Sequence, residues 1–208
     1  MAKIENLFVT RLYRAELGTT APAKRLIREL DDACRSTADE DVAGQRWCDA
    51  NAYPGYTSYA SLNDLPWRYP CFADLVNHLE THAGAFAKKL EWDLQGKPIT
   101  LDSLWINCLP PGGFHSSHIH PNSVLSGTFY VNMPKGAAAL KIEDPRSGLM
   151  MAAPPKKKTA RRDQQPFIYE SPAAGTILMW ESWLRHEVPM NAGKDARISI
   201  SFNFRWGD

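Results

Sequence analysis

The stretch HSSHIHPNSVLSGTFYVN, residues 115–132, places His118 and His120 one residue apart at the entrance to an apolar run. In a β-strand, side chains at i and i+2 share a face about 6–7 Å apart, so this pair can close on one metal ion. Far downstream, WESWLRHEVPMN supplies His186, and RISISFNFRW then opens on Arg197. One histidine alone is more often a satisfied core or surface residue. A close pair, a distant third and then an arginine together are a far more specific signal. Three ligands on one side of a metal, leaving open positions, suit non-haem Fe(II) and oxygen chemistry.

The strand that carries Arg197 says what else the site holds. Ile198, Ile200, Phe202, Phe204 and Trp206 alternate with Arg197, Ser199, Ser201, Asn203 and Arg205. The apolar set predicts one face packed beneath helices, and the polar set predicts water or a hydrophilic lumen on the other. An arginine inside a lumen requires an anion, because an unpaired buried charge is costly. Its planar fork fits a carboxylate.

The rest of the chain must position these residues. IENLFVTRLY, residues 4–13, reads as an opening strand. Thr20 before Pro22 reads as the N-cap of an amphipathic helix ending near Thr37, on the spacing of Leu26, Ile27, Leu30 and Cys34. Residues 44–70, rich in Tyr, Trp, Pro, Asn and Gly, show no sustained period and predict an irregular, aromatic-packed connection. Such residues could equally line a substrate pocket. A second helix follows from Pro70, with Phe72, Leu75, Val76, Leu79, Ala83, Phe86 and Leu90 at helical intervals. His78 and His82 stand at i and i+4 on it, a zinc-compatible spacing, but HLETH lacks the HExxH glutamate and two polar residues one turn apart ordinarily face water.

After Gly96 the period changes from 3.6 to 2. ITLDSLWINCL, HIHP, VLSGTFYVN, AALKIED, QPFIYES, GTILMWES and RISISFNFRW are short runs broken by Pro, Gly and Asn, as an antiparallel sandwich or barrel requires. The chain therefore reads as a single domain over 1–208, with a helical and irregular extension at 1–97 and a β core at 98–208. MMAAPPKKKTARRDQQP, residues 150–166, carries five cations between proline-containing ends. It reads as a mobile loop or as a lid attracting an anionic ligand.

Composition excludes several classes. Of 208 residues, 24 are basic and 23 acidic, so the net charge of +1 gives no electrostatic case for nucleic acid. Cys34, Cys48, Cys71 and Cys108 form no CxxC pair, and MAKIENLFVTRLYR shows no apolar signal core. A reducing, cytoplasmic setting is expected, and no apolar run nears the roughly 18 residues of a membrane span. A homodimer is the default assembly.

HIHPNSVLSGTFYVNMP, PAAGTILMWESWLRHEVPMN and RISISF together resemble the Fe(II)/2-oxoglutarate-dependent oxygenases, in particular a family of small bacterial and phage proteins. The resemblance covers roughly residues 100–208. It implies a mainly β fold, a double-stranded β-helix (a cupin-like jelly roll) with N-terminal α-helices packed on the barrel. It implies that His118, His120 and His186 bind Fe(II), and that Arg197 and Ser199 hold the far carboxylate of 2-oxoglutarate. Tyr130 and Asn107 are secondary candidates for that cosubstrate. The implied reaction couples oxidative decarboxylation of 2-oxoglutarate to hydroxylation of a substrate the sequence does not name.

One departure stands out. The wider superfamily usually has His-x-Asp or His-x-Glu, whereas His118-x-His120 supplies only neutral imidazole, which alters redox tuning and metal selectivity. Glu143 or Asp144 of KIEDPR is a candidate to complete the shell. His115 could also replace His118, but its odd offset predicts the opposite strand face. Two rival readings follow: a three-histidine, cupin-like metalloenzyme that does not use 2-oxoglutarate, and a non-catalytic jelly-roll module that binds a metal or small ligand.

Overall fold

A computed structural model describes residues 1–207. Among these residues ten strands form two sheets. The larger sheet is ordered β1 (Leu12–Glu16), β8 (Thr176–Glu181), β5 (Leu125–Asn132), β10 (Arg197–Trp206), β3 (Ile99–Leu109) and β2 (Tyr56–Thr57). The smaller is ordered β4 (His115–His118), β9 (His186–Val188), β6 (Leu140–Glu143) and β7 (Phe167–Glu170). Every neighbouring pair is antiparallel. This is the double-stranded β-helix.

Alternation within the central strands builds two separate cores. Ile198, Ile200, Phe202 and Phe204 of β10, with Phe129 and Val131 of β5 and Ile177 and Met179 of β8, pack into one cluster with helix residues. The helices are α1 (Ala21–Glu40) and α4 (Pro70–Lys89), which contribute Leu26, Leu30, Cys34, Phe72, Leu75, Leu79 and Phe86. The intervening residues Tyr130, Leu178 and Trp180 join Leu140, Ile142 and Leu184 in the second cluster. At roughly 1.5–3 kcal/mol per fully buried large apolar side chain, the helix-facing cluster is the main source of stability. Gly127 is required in β5, because a Cβ there would lie 2.4 Å from the Phe202 ring.

Several sequence expectations change. The opening strand is β1, starting at Leu12 rather than residue 4. Thr20 caps α1 as expected, accepting from the Ala23 N–H at 3.4 Å, but the helix continues to Glu40. The segment 44–70 is partly regular, holding most of α2 (Val42–Ala50), then β2 and α3 (Leu65–Arg68). Aspartate caps α2: Asp41 accepts from Gly44 N–H at 3.0 Å and also binds Tyr56 and Ser61. β9 follows a tight turn after β8 and is too short to give a periodic signal.

The cationic segment 150–166 does not close over the cavity. Among the described residues none of it lines that space. Two of its five cations are committed to ion pairs, Arg161 with Asp163 at 3.1 Å and Arg162 with the buried carboxylate of Glu170. No helix among the described residues is long and apolar enough to cross a membrane.

Candidate metal centre

His118 and His186 are direct cross-strand partners in the β4–β9 pairing, which puts their side chains on one face. Their ring centroids lie 4.3 Å apart. His120 reaches them from just beyond the end of β4, with its N–H donating to the Ser182 carbonyl at 3.0 Å. Its ring is 5.0 Å from that of His118 and 5.2 Å from that of His186. The expected convergence therefore occurs, but strand alternation does not produce it: the chain leaves β4 at His118 and a backbone bond from the other sheet orients His120.

One ring nitrogen is already committed in two of these residues. The Nδ1–H of His118 donates to Ser116 O at 2.7 Å, and that of His186 to Leu184 O at 2.9 Å. Each bond leaves Nε2 as a free lone pair, the usual way a protein prepares imidazole for a metal. His120 Nε2 is buried without a partner. The ligand atoms of all three lie within 4.8 Å of one another, and no other such group converges among the described residues.

Burial keeps these imidazoles neutral. It holds His186 well below its ordinary value and pushes His120 down to about 4, with His118 adding to the effect in both. Burial also lowers His118. Neutral rings close together favour a cation over protons, so the donor set fits a divalent metal.

Arg197 lies in the same cavity. Its residue is 2% exposed, and its Nε and Nη1 donate to Ala138 O at 3.2 Å and Ser199 Oγ at 2.9 Å. Its guanidinium lies 5.2 Å from the centre of the Tyr130 ring. Among the described residues no carboxylate pairs with it, and burial lowers its pKa accordingly. Three further buried atoms lack partners: Asn107 Oδ1, Tyr130 Oη and Trp180 Nε1. Each such atom costs about 1–3 kcal/mol; Asn107 and Trp180 line the cavity and Tyr130 lies behind it beside Arg197, so the set marks a place built for a polar ligand. Asn107 Nδ2 is held by Ser201 Oγ at 3.0 Å, and burial pushes the Tyr130 phenol up to about 12, leaving it protonated.

The carboxylates proposed to complete the shell are absent from it. Asp144 is bound by Arg146 at 2.8 Å, and Glu143 accepts from Ser147. On α4, His82 is bound to Tyr13 Oη at 2.9 Å and belongs to no metal group. The reading of His115 is overturned. An irregularity in the β4–β9 register between His115 and His118 cancels the odd offset, and His115 faces the cavity with its ring 4.5 Å from that of His118. Tyr53, from the aromatic connection, also lines the cavity and was visible in the sequence only as one aromatic among many.

Residues 103–203 match a family model described as "Putative 2OG-Fe(II) oxygenase". That stretch belongs to the 2OG-Fe(II) oxygenase family. The match supports an oxygenase with iron as its cofactor and 2-oxoglutarate as its cosubstrate. No curated protein matches its sequence. Solved structures share the oxygenase's fold. A Pseudomonas putida prolyl-4-hydroxylase is 16% identical with a TM-score of 0.56, over 94% of this chain and 92% of that one. The alpha-ketoglutarate-dependent epimerase SnoN from nogalamycin biosynthesis is 12% identical with a TM-score of 0.61, over 94% and 76%. AviO1 from Streptomyces viridochromogenes is 12% identical with a TM-score of 0.59, over 94% and 90%.

Proposed function

We propose that the oxygenase hydroxylates a C–H bond of its substrate, with iron held by Nε2 of His118, His120 and His186 and 2-oxoglutarate anchored by Arg197 and Ser199. The observation that carries this reading is the buried, carboxylate-free Arg197 in the cavity of the histidine triangle. A metal centre alone does not need that arginine, whereas a dicarboxylate spanning from metal to guanidinium does. Another protein of this fold, SnoN, has been crystallised with Fe3+ and alpha ketoglutarate.

With dioxygen as the oxidant, bound iron would couple the decarboxylation of 2-oxoglutarate to succinate and carbon dioxide, one oxygen atom entering succinate, to hydroxylation of the substrate with the other. The chain's own contribution is positioning. Arg197 donates to the far carboxylate, assisted by the Ser199 hydroxyl that it already orients. Tyr130 offers a protonated hydroxyl beside it, and Asn107 an amide whose oxygen is unpartnered. Trp180 packs edge-on against His186, centroids 4.6 Å apart, and holds that ring in place while excluding water.

Anaerobic titration of Fe(II)-loaded protein with 2-oxoglutarate, following the metal-to-ligand charge-transfer band, tests this. A charge-assisted hydrogen bond contributes about 1.5–3 kcal/mol, so Arg197→Ala should weaken 2-oxoglutarate binding roughly tenfold to a hundredfold. Arg197→Lys should recover part of it. The all-imidazole triangle favours one rival, a three-histidine enzyme that binds substrate directly. Wild-type protein that takes up iron but gives no chelate would select it.

A further inference from the structure

A second concavity adjoins the metal cavity and shares His120 with it. It is an open groove of about 1010 Å³, including its solvent side, walled by Trp92, Trp183, Trp206 and Ile119. Trp183 and Trp206 remain 47% and 44% exposed, and Ile119 38%. Contiguous exposed apolar side chains of this kind mark a binding surface rather than a core. The charged side chains lining the groove are Asp93 and Glu181, and among the described residues neither Lys nor Arg lines it. The Trp206 indole N–H is already spent on Leu94 O at 3.1 Å.

This combination is selective. Indole faces attract cations through their quadrupole, most strongly when the cation is partly desolvated. Two carboxylates accept hydrogen bonds and donate none. An ammonium group is their complement, bringing donors and positive charge and no acceptor. A saccharide also stacks on indole and has acceptors for the Trp92 and Trp183 indoles and the Ser123 hydroxyl, but it brings no positive charge to answer Asp93 and Glu181. An anionic substrate would meet two like charges.

We infer that the groove is the substrate site and recognises an organic ammonium group on an apolar skeleton, a free alkylammonium ion or a lysine side chain. The inference rests on the oxygenase reading for one point only: that a C–H bond beside the ammonium is brought toward His120 and the metal.

Binding is read by intrinsic tryptophan fluorescence on the metal-free full chain, so it does not depend on iron chemistry. Butylammonium should bind at least tenfold more tightly than its neutral length-match 1-butanol, and Glu181→Gln should abolish that preference. Trp183→Leu, at a half-exposed position, should weaken butylammonium at least fivefold and serves if the Glu181 variant misfolds. An acetyl-lysine-amide peptide that binds more tightly than butylammonium assigns the source to a peptide, and the reverse order assigns it to a small amine. Equal binding of 1-butanol and butylammonium, or displacement of butylammonium by glucose at similar concentration, overturns the proposal. In the Fe(II)–2-oxoglutarate complex, butylammonium should shift the charge-transfer band. A band that forms but does not respond overturns the groove as the substrate site, whereas ammonium binding without any band leaves the groove standing and removes the oxygenase reading.

Discussion

Tyr53 Oη lies 3.1 Å from Nδ1 of His115, with the two rings edge to face. Burial raises the phenol's pKa, and burial pushes His115 down to about 4, so a protonated phenol faces a neutral imidazole. In the tautomer in which the phenol donates to Nδ1, the ring's proton is on Nε2. We expect this tautomer, in which His115 presents a donor to the cavity rather than a lone pair for the metal, because His115 stands outside the three-histidine group. Tyr53→Phe removes one neutral hydrogen bond, worth about 0.5–1.5 kcal/mol. It should weaken 2-oxoglutarate binding roughly threefold to tenfold while leaving Fe(II) affinity unchanged. A matching loss of iron affinity would mean that His115 is a ligand.

The same assignment separates His115 from its neighbours directly. His118→Ala and His186→Ala should each abolish stoichiometric binding of Fe(II) or Zn(II) without unfolding the chain, whereas His115→Ala should retain one tightly held equivalent. Metal content after dialysis decides it. Loss of metal in all three variants would contradict the three-residue grouping.

Arg197 should prove a burden on the empty protein. Its charge is buried without a carboxylate, and replacing such a group by an apolar one of similar length is commonly neutral or stabilising. Arg197→Met should therefore leave the thermal midpoint of the metal-free protein unchanged or higher, while shifting the charge-transfer titration to roughly tenfold to a hundredfold higher 2-oxoglutarate. A fall of more than about 10 °C would show that its bonds to Ala138 and Ser199 are structural props.

Stability should fall with acid above the carboxylate range. His115 and His120 are lowered to about 4, and His118 and His186 are lowered too, from an unfolded value near 6.5. As pH drops below that value the unfolded chain takes up protons first, so these groups favour unfolding progressively from about pH 6.5 toward 4. Urea unfolding of the metal-free protein should lose on the order of a few kcal/mol between pH 7 and pH 5. A midpoint that stays flat over that interval would refute the neutral, buried cluster.

The β half was legible because its periodicity is strong. The two faces of residues 197–206 predicted both the helix-packed core and the polar lumen, and the structure shows Ile198 and Arg197 on those two sides. The spacing of the helices was equally clear from Leu26, Leu30 and Leu75, Leu79. The wall of the cavity was much less so. The register irregularity that turns His115 inward leaves no mark on the residues around it, since parity counts residues and cannot see where pairing slips. Tyr53 is delivered by a connection without a period, whose place depends on β2 pairing with β3 and on Ser58 Oγ accepting from Ile106 N–H. Such contacts are tertiary and distant in sequence. Residues 150–166 do not line the cavity in this structure, and composition, which counts cations and not their partners, could not show that Arg161 and Arg162 are paired.

The lining of the inner cavity has a consequence for the order in which the centre fills and empties. Among the described residues it includes Arg197 and no aspartate or glutamate. A divalent ion placed among neutral rings keeps its whole charge, and the guanidinium adds another of the same sign in a poorly screened space. Two like charges with nothing between them oppose each other's presence, and a dianion bridging them relieves both. Metal retention and dicarboxylate affinity are then linked, and the linkage is reciprocal: whatever factor the metal adds to the dianion's binding, the dianion returns to the metal. The all-histidine triangle would therefore hold its metal more firmly once the cosubstrate bridges the two charges than before it arrives.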